Sequence, residues 1–225
     1  MKTRPGTYGG RSLEQRQADR RRQLVEAALE IWREHGWSAV TMRGVCTRAR
    51  LTDRYFYEHF SDRDALLVAV WDQVRDTTIA RVLDAIASRL DQDPISQLRG
   101  AIAELVHNLG DDPRGAQLLF GEHTGSAALE QCRQQTLQQF TDLLVALAGP
   151  HLRDGADAEE LRMSALMGIG GFVELVTAWQ AGIIDTDAER VIEHSARVGA
   201  LLAAQYLRQE GSSTTTGMVR SVLDS

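Results

Sequence analysis

The sequence predicts an all-α protein of nine helices in two domains, a short three-helix head followed by a larger helical body. Three observations predict it. Apolar residues recur at helical spacing along nearly the whole chain, and no run of β-type alternation exceeds a few residues. Punctuation falls between those runs: Pro94, Pro113 and Pro150 divide them, no proline lies between Pro5 and Pro94, and Gly110, Gly149 and Gly182 stand where helices should stop. The stretch from Arg20 to Trp71 packs three short helical patterns and a tight turn ahead of a much longer helix.

Taken in order, residues 1–19 carry arginines without an apolar stripe and predict a flexible basic arm, with a turn to helix open from Ser12. The head covers 20–66. Its first helix, about 20–35, sets Leu24, Ala28 and Ile31 on one face and ends at Gly36. Thr41 caps a second helix, about 42–49, and Thr52 a third, about 53–60. Ser61 and Asp64 form a variant capping box for a fourth helix. That helix reaches about Asp91, with Leu67, Val70, Trp71, Val74, Thr78, Val82, Ile86 and Leu90 on its apolar side. The body, 67–210, continues with helices at about 94–109, 113–122, 126–148, 157–182 and 187–209. Asp93-Pro94 and Asp112-Pro113 each read as an N-cap followed by proline at the first helical position. Thr186 and Glu189 have the spacing of a capping box. Residues 211–225, GSSTTTGMVRSVLDS, predict a disordered tail.

The chain has 225 residues, 43% of them hydrophobic, which is enough for a substantial core. Its net charge of −6 hides an asymmetry: residues 1–63 hold 13 Lys and Arg against 8 Asp and Glu, whereas the remainder holds 12 against 23. A basic head on an acidic body suits a molecule whose head alone meets phosphates, because the body then repels them and fixes one orientation. The two cysteines, Cys46 and Cys132, lie in apolar helical patterns and form no CxxC or Cys/His cluster, so they read as small buried hydrophobes. The start of the chain has no apolar run of a secretory signal, and no stretch reads as a membrane span, so a cytoplasmic location is expected. No HExxH, GxSxG or phosphate loop is present; neither an enzyme nor a cofactor is expected.

The third helix carries the functional signal. Phe56 and Phe60 point inward as anchors and Leu51 plugs the turn before it, while the polar residues are left outside. Such a helix, fixed by apolar residues with polar ones at its N-terminal end, suits the major groove of DNA. Arg54 is placed for a bidentate guanine contact and Tyr55 for a thymine methyl. Thr52 sets the first turn against a phosphate or base edge. Thr41, Arg43, Tyr57, His59 and Arg63 are placed for phosphates, Thr41 and Arg63 at helix starts where free N–H groups already favour an anion. Arg20, Arg21 and Arg22 could add backbone contacts, and Arg4 and Arg11 could enter a minor groove. For Tyr57 a core role with a solvent-facing hydroxyl, and for His59 a helix-end cap, remain open.

The segment 20–75 resembles the N-terminal domain of the TetR family of bacterial transcriptional regulators. The resemblance rests on Gly36-Trp37 after the first helix, Thr41 to Val45, the closing Phe56-Tyr57-Glu58-His59-Phe60, and Ser61 to Leu66 opening the fourth helix. Two departures stand out: Arg50 where the family often has glycine in the turn, and Asp53-Arg54 where it often has Lys-Gly. Asp53 either stabilises the helix start through the dipole or accepts a hydrogen bond from cytosine N4.

The resemblance implies a ligand-binding, dimer-forming C-terminal domain. The residues agree in part. The helix 157–182 is apolar on more than one face, with Leu161, Ala165, Gly168, Phe172, Val176 and Trp179 on one stripe and Leu166, Ile169 and Val173 on another. Gly168, Gly170 and Gly171 lower its propensity, which close approach of another helix would offset. With Val191, Ser195, Val198, Leu202 and Tyr206 of 187–209, it predicts a four-helix homodimer interface. Trp71, His107, Phe120, His123, Phe140, Met167, Phe172 and Trp179 are the expected walls of a mostly apolar ligand site. The function expected is a ligand-responsive DNA-binding regulator, a repressor released from a pseudo-palindromic double-stranded operator by a small-molecule effector. A DNA-bound architectural or interaction protein with no such effector is the alternative.

Overall fold

The computed structural model describes residues 12–111, 118–121 and 123–208. Among them the chain is helical, with no strand and one isolated antiparallel bridge, Leu152 to Leu207. The helix α1 spans Leu13–His35. It begins earlier than the predicted residue 20 because Ser12 and Gln15 form a reciprocal capping box, with bonds of 3.1 and 2.8 Å. The turn to helix left open from Ser12 is thus taken, with Ser12 as the cap and residues 13–19 in α1; Arg4 and Arg11 lie outside the described residues. Gly36 stops α1 at φ 83°, donating its N–H to the Trp32 carbonyl at 2.8 Å, and a 3-10 turn, Trp37–Ala39, leads on.

The helix α2 is Met42–Ala49, with the Thr41 hydroxyl accepting the Gly44 N–H at 3.1 Å. Its far end is a Schellman motif: the Leu51 N–H bonds the Cys46 carbonyl at 3.0 Å and the Arg50 N–H bonds the Thr47 carbonyl at 3.3 Å. Arg50 takes the left-handed conformation this requires, φ 56° and ψ 39°, without being glycine. The helix α3 covers only Asp53–Tyr57 and not the predicted run to 60. Thr52 holds its N-cap position in extended conformation, but the hydroxyl makes no capping bond.

The helix α4, Arg63–Ala87, is capped by Asp62, which accepts the Ala65 N–H at 2.8 Å, and not by the expected Ser61. It ends before the predicted Asp91, leaving Leu90 72% exposed. Asp93 caps α5, Pro94–Asp111, through the Ile95 and Ser96 N–H groups at 3.0 Å. This helix runs through Gly110, the predicted stop. Of the predicted helix 113–122 only the helical turn 118–120, counted as α6, is described; Pro113 lies outside the described residues. Then come α7, Ala127–Ala148, α8, Ala158–Gln180, and α9, Ala188–Ala203, capped by Ser126, Asp157 and Asp187. Asp187, accepting the Arg190 N–H at 2.8 Å, replaces the predicted Thr186 cap. After α9 the chain turns and pairs back: the Arg153 N–H bonds the Tyr206 carbonyl and the Arg208 N–H bonds the His151 carbonyl, each at 2.9 Å. The predicted tail, 211–225, lies outside the described residues.

Two cores result. The larger joins head to body, bringing Leu24, Ile31, Val45, Phe56 and Phe60 together with Leu66, Val70 and Trp71 of α4 and with Leu118, Leu129 and Cys132. The second packs Ile102 and Val106 of α5 against Val176 of α8 and Val191 and Ile192 of α9. Both cysteines are buried and free, as their apolar setting predicts.

Candidate nucleic-acid interface

The head is a tripod of α1, α2 and α3 closed by polar clamps. Phe56 is 1% exposed and packs its ring on Phe60 at 5.8 Å, so α3 is pinned at its centre. Arg48 reaches from α2 to α1 and grips both oxygens of Glu34 at 2.7 Å. Gly44 lets the Thr41 cap close, since a Cβ there would come within 3.0 Å of the Thr41 hydroxyl oxygen. This scaffold leaves Thr41, Arg43, Thr52, Asp53, Arg54 and Tyr57 exposed around the α2–α3 turn. Tyr57 is 62% exposed, so its ring is not core.

Three predicted contacts are placed differently. Arg63 donates from Nε to the Val40 carbonyl at 2.5 Å and from Nη2 to the Trp37 carbonyl at 2.7 Å, with its guanidinium 5.3 Å over the Trp37 ring. Two of its donors thus clamp the turn between α1 and α2, a structural role beside the expected phosphate contact. His59 turns toward α1, beside Gln17, Ala18 and Arg21, with Nε2 buried and unpartnered. Burial, then the Arg20 charge, holds its pKa below the ordinary imidazole value, which disfavours the charged form that would attract a phosphate. Tyr55 is half-buried, and the Arg20 guanidinium covers one face of its ring at 4.6 Å. The Arg20–Arg22 run is likewise occupied: Arg21 lies 5.3 Å over the Phe60 ring and Arg22 pairs with Asp19 at 2.5 Å.

Among the described residues the expected ligand walls divide between the two larger cores, with Phe120 packed against both. Trp71, Phe120 and His123 meet at the head–body junction. There the His123 ring stands edge-on between Trp32 of α1, 5.6 Å away, and Trp71 of α4, 5.2 Å away. His123 is 3% exposed with Nδ1 unpartnered, and burial lowers its pKa. Trp71 donates to the Thr136 hydroxyl at 2.9 Å. Phe172 and Trp179 belong to the second core, where the Trp179 indole N–H donates to the Thr186 carbonyl. Phe140 is half-buried on α7, while His107 and Met167 are exposed, Met167 by 72%. Sequence spacing marked these residues as large and did not distinguish wall from packed core. Two open clefts of about 260 Å³ are present, one between α5 and α9 and one between α1 and the end of α3, and none of these eight residues lines either.

One helix departs from the expectation that nothing could cross a membrane. By length and composition alone α8 could, with a mean hydropathy of 1.3 over a window only 17% buried. Leu161, Ala165 and Val176 face the interior, whereas Met163 and Leu166 are 54% and 44% exposed.

The profile described as bacterial regulatory proteins, tetR family, matches residues 24–70, the stretch from the first buried residue of α1 into α4. The head, residues 24–70, is thus a TetR-type N-terminal domain. Among curated relatives, the HTH-type transcriptional activator FasR of Mycolicibacterium smegmatis is 27% identical over 178 residues, 78% of each chain. Among solved structures, a transcriptional regulator from Rhodococcus sp. Rha1 superposes with a TM-score of 0.67 at 18% identity, covering 84% of this chain and 99% of that one. The regulator FadR of Bacillus subtilis, in complex with stearoyl-CoA, gives a TM-score of 0.62 at 21% identity, covering 80% and 96%.

Within this TetR-type head, sequence reading missed two groups, Arg48 and Glu58. Arg48 looks from sequence like another surface cation; only the tertiary crossing of α2 over α1 brings it to Glu34. Glu58 accepts Arg54 Nε at 3.1 Å and lies 3.9 Å from Arg20, so Arg54, whose side chain is 84% exposed, is held rather than loose. The i,i+4 spacing of Arg54 and Glu58 was the available signal. Arg20, stacked on Tyr55, completes the group.

Proposed function

We propose that this chain is a TetR-family regulator, a two-fold homodimer that reads a pseudo-palindromic operator with α3 and leaves it when a small, mostly apolar effector enters the body. The supporting observation is the first turn of α3: Arg54 stands 84% exposed beside a phenylalanine 1% exposed, a polar edge on a rigid anchor. Arg54 reads bases, and Thr41, Arg43 and Tyr57 take phosphates; a good bidentate arginine–guanine pair supplies about 1–3 kcal/mol of discrimination. Dimerisation uses α8 and α9. Their uncovered apolar side chains, Met163, Leu166 and Met167 with Val198 and Leu201, need a partner, and a second copy supplies it without exposing α8 to water. Two heads related by that axis reach successive major grooves roughly 34–36 Å apart.

The effector arm is supported by the shared core. Because Trp32, His123 and Trp71 pack head and body through one imidazole, a ligand that moves α4 also moves α1. It acts only if it binds the two arrangements with different affinity. The FadR relative bound to stearoyl-CoA suggests an acyl chain as the class to try first. Selection of duplexes from a random pool with the full chain, followed by salt titration and challenge with long-chain acyl compounds, tests the proposal. Enrichment of a palindrome and its release by an acyl compound are expected. Equal affinity for all duplexes would overturn the DNA reading, and an operator complex indifferent to every apolar compound would overturn the effector reading.

A further inference from the structure

Glu58, the residue that ends α3, turns its carboxylate back onto the reading turn. Its Oε1 accepts Arg54 Nε at 3.1 Å, and its Oε2 lies 3.9 Å from Arg20, whose guanidinium in turn covers Tyr55 at 4.6 Å. An arginine offers a guanine two forks, the Nε/Nη edge or the Nη1/Nη2 end. With Nε given to Glu58, only the end-on fork of Arg54 is free.

We propose that Glu58 is a specificity-determining positioning residue, which selects the end-on presentation of Arg54 and, through Arg20, holds Tyr55 beside it. The inference rests on the DNA reading above. A carboxylate near a phosphate backbone weakens binding to every duplex. Glu58 therefore lowers affinity in general and raises discrimination in particular, because an arginine already held in one rotamer loses less freedom on meeting the correct base and adapts less to a wrong one. An unconstrained Arg54, 84% exposed, would instead follow the nearest phosphate.

The test uses the full chain and the duplex it selects, with every single-base substitution of that duplex. Arg54→Ala first marks the base pair that loses preference. Glu58→Gln then removes the charge and Glu58→Asp retains it on a shorter arm. Glu26→Gln, which removes an equal charge near Arg22 at 3.9 Å, is the control. The expectation is that Glu58→Gln and Glu58→Asp both lose about fivefold or more of the preference at the marked pair, the low end of an arginine–guanine contact. Glu58→Gln also binds random duplex more tightly, while Glu26→Gln keeps the full preference. Unchanged preference in both Glu58 variants, or an equal loss at every position, overturns the inference alone. A parent protein that selects no sequence overturns the DNA reading along with it.

Discussion

The head and the distal body solve the same packing problem in opposite ways. The head is built from short helices, yet it is finished: its carbonyls at Trp37 and Val40 are met by Arg63, its α2 start by Thr41, its α2 end by the Schellman turn. The body has the longer helices and is unfinished. Along α8 only Leu161, Ala165 and Val176 are buried, although the helix is apolar nearly throughout. Local hydrogen bonds complete a small unit in isolation, while a long apolar helix has satisfied its backbone already and lacks only a surface to lie against. The difference teaches where local bonds finish a surface and where an apolar face is left uncovered in the single chain.

That contrast can be broken at its strongest clamp. Arg63→Met leaves two partly buried carbonyls without their charged donor and should cost about 2–3 kcal/mol in urea unfolding. The slope of DNA affinity against salt should stay as it is. A lower slope with unchanged stability would return Arg63 to the phosphates. On the body side, replacing Leu166 and Met167 together with alanine should leave the protomer folded and weaken self-association at least about tenfold, or about 1.4 kcal/mol, by sedimentation. Association equal to the parent's would mean that this face meets no second copy. A smaller gain is expected in the head from Arg50→Gly, about 1 kcal/mol, because Arg50 is held at φ 56°. Its circular dichroism melt reads the change, and a loss would show that the Arg50 side chain makes up for its backbone.

The mildest effect is that of acid. His59 and His123 both have folded-state pKa values depressed by burial below the ordinary 6.5. Their contribution is therefore fully present above about pH 6.5 and is lost as pH falls through the lower folded values, because the unfolded chain takes up protons first. His123 faces Trp32, Trp71 and the Gly121 carbonyl, with Glu130 favouring and Arg133 opposing its charge. Melting temperatures taken from about pH 7 to about pH 5 should decline, and His123→Phe should flatten the decline. An identical profile in the variant would place the sensitivity elsewhere.

The two regions also differed in how far sequence revealed them. The limits of α2, the Thr41 cap and the anchors Phe56 and Phe60 were legible, because helical period and capping are local rules. Arg63 and His59 were not, since a long or ring-bearing polar side chain chooses its partner from the fold. Arg63 finds carbonyls 23 and 26 positions away in the chain. The ligand walls were the least legible. Trp71 and His123 are large and apolar enough for either role, and only their mutual contact shows them filling a joint. Glu58, four residues from Arg54, was legible in principle, for the spacing alone pairs them.

That joint gives the molecule its own optical gauge. Two of its four tryptophans, Trp32 in the first helix and Trp71 in the fourth, share a single imidazole, and both are shielded from water. Any rearrangement that slides the first helix against the fourth must change the surroundings of both indoles at once. Their emission therefore reports the coupling of the two domains without an attached dye.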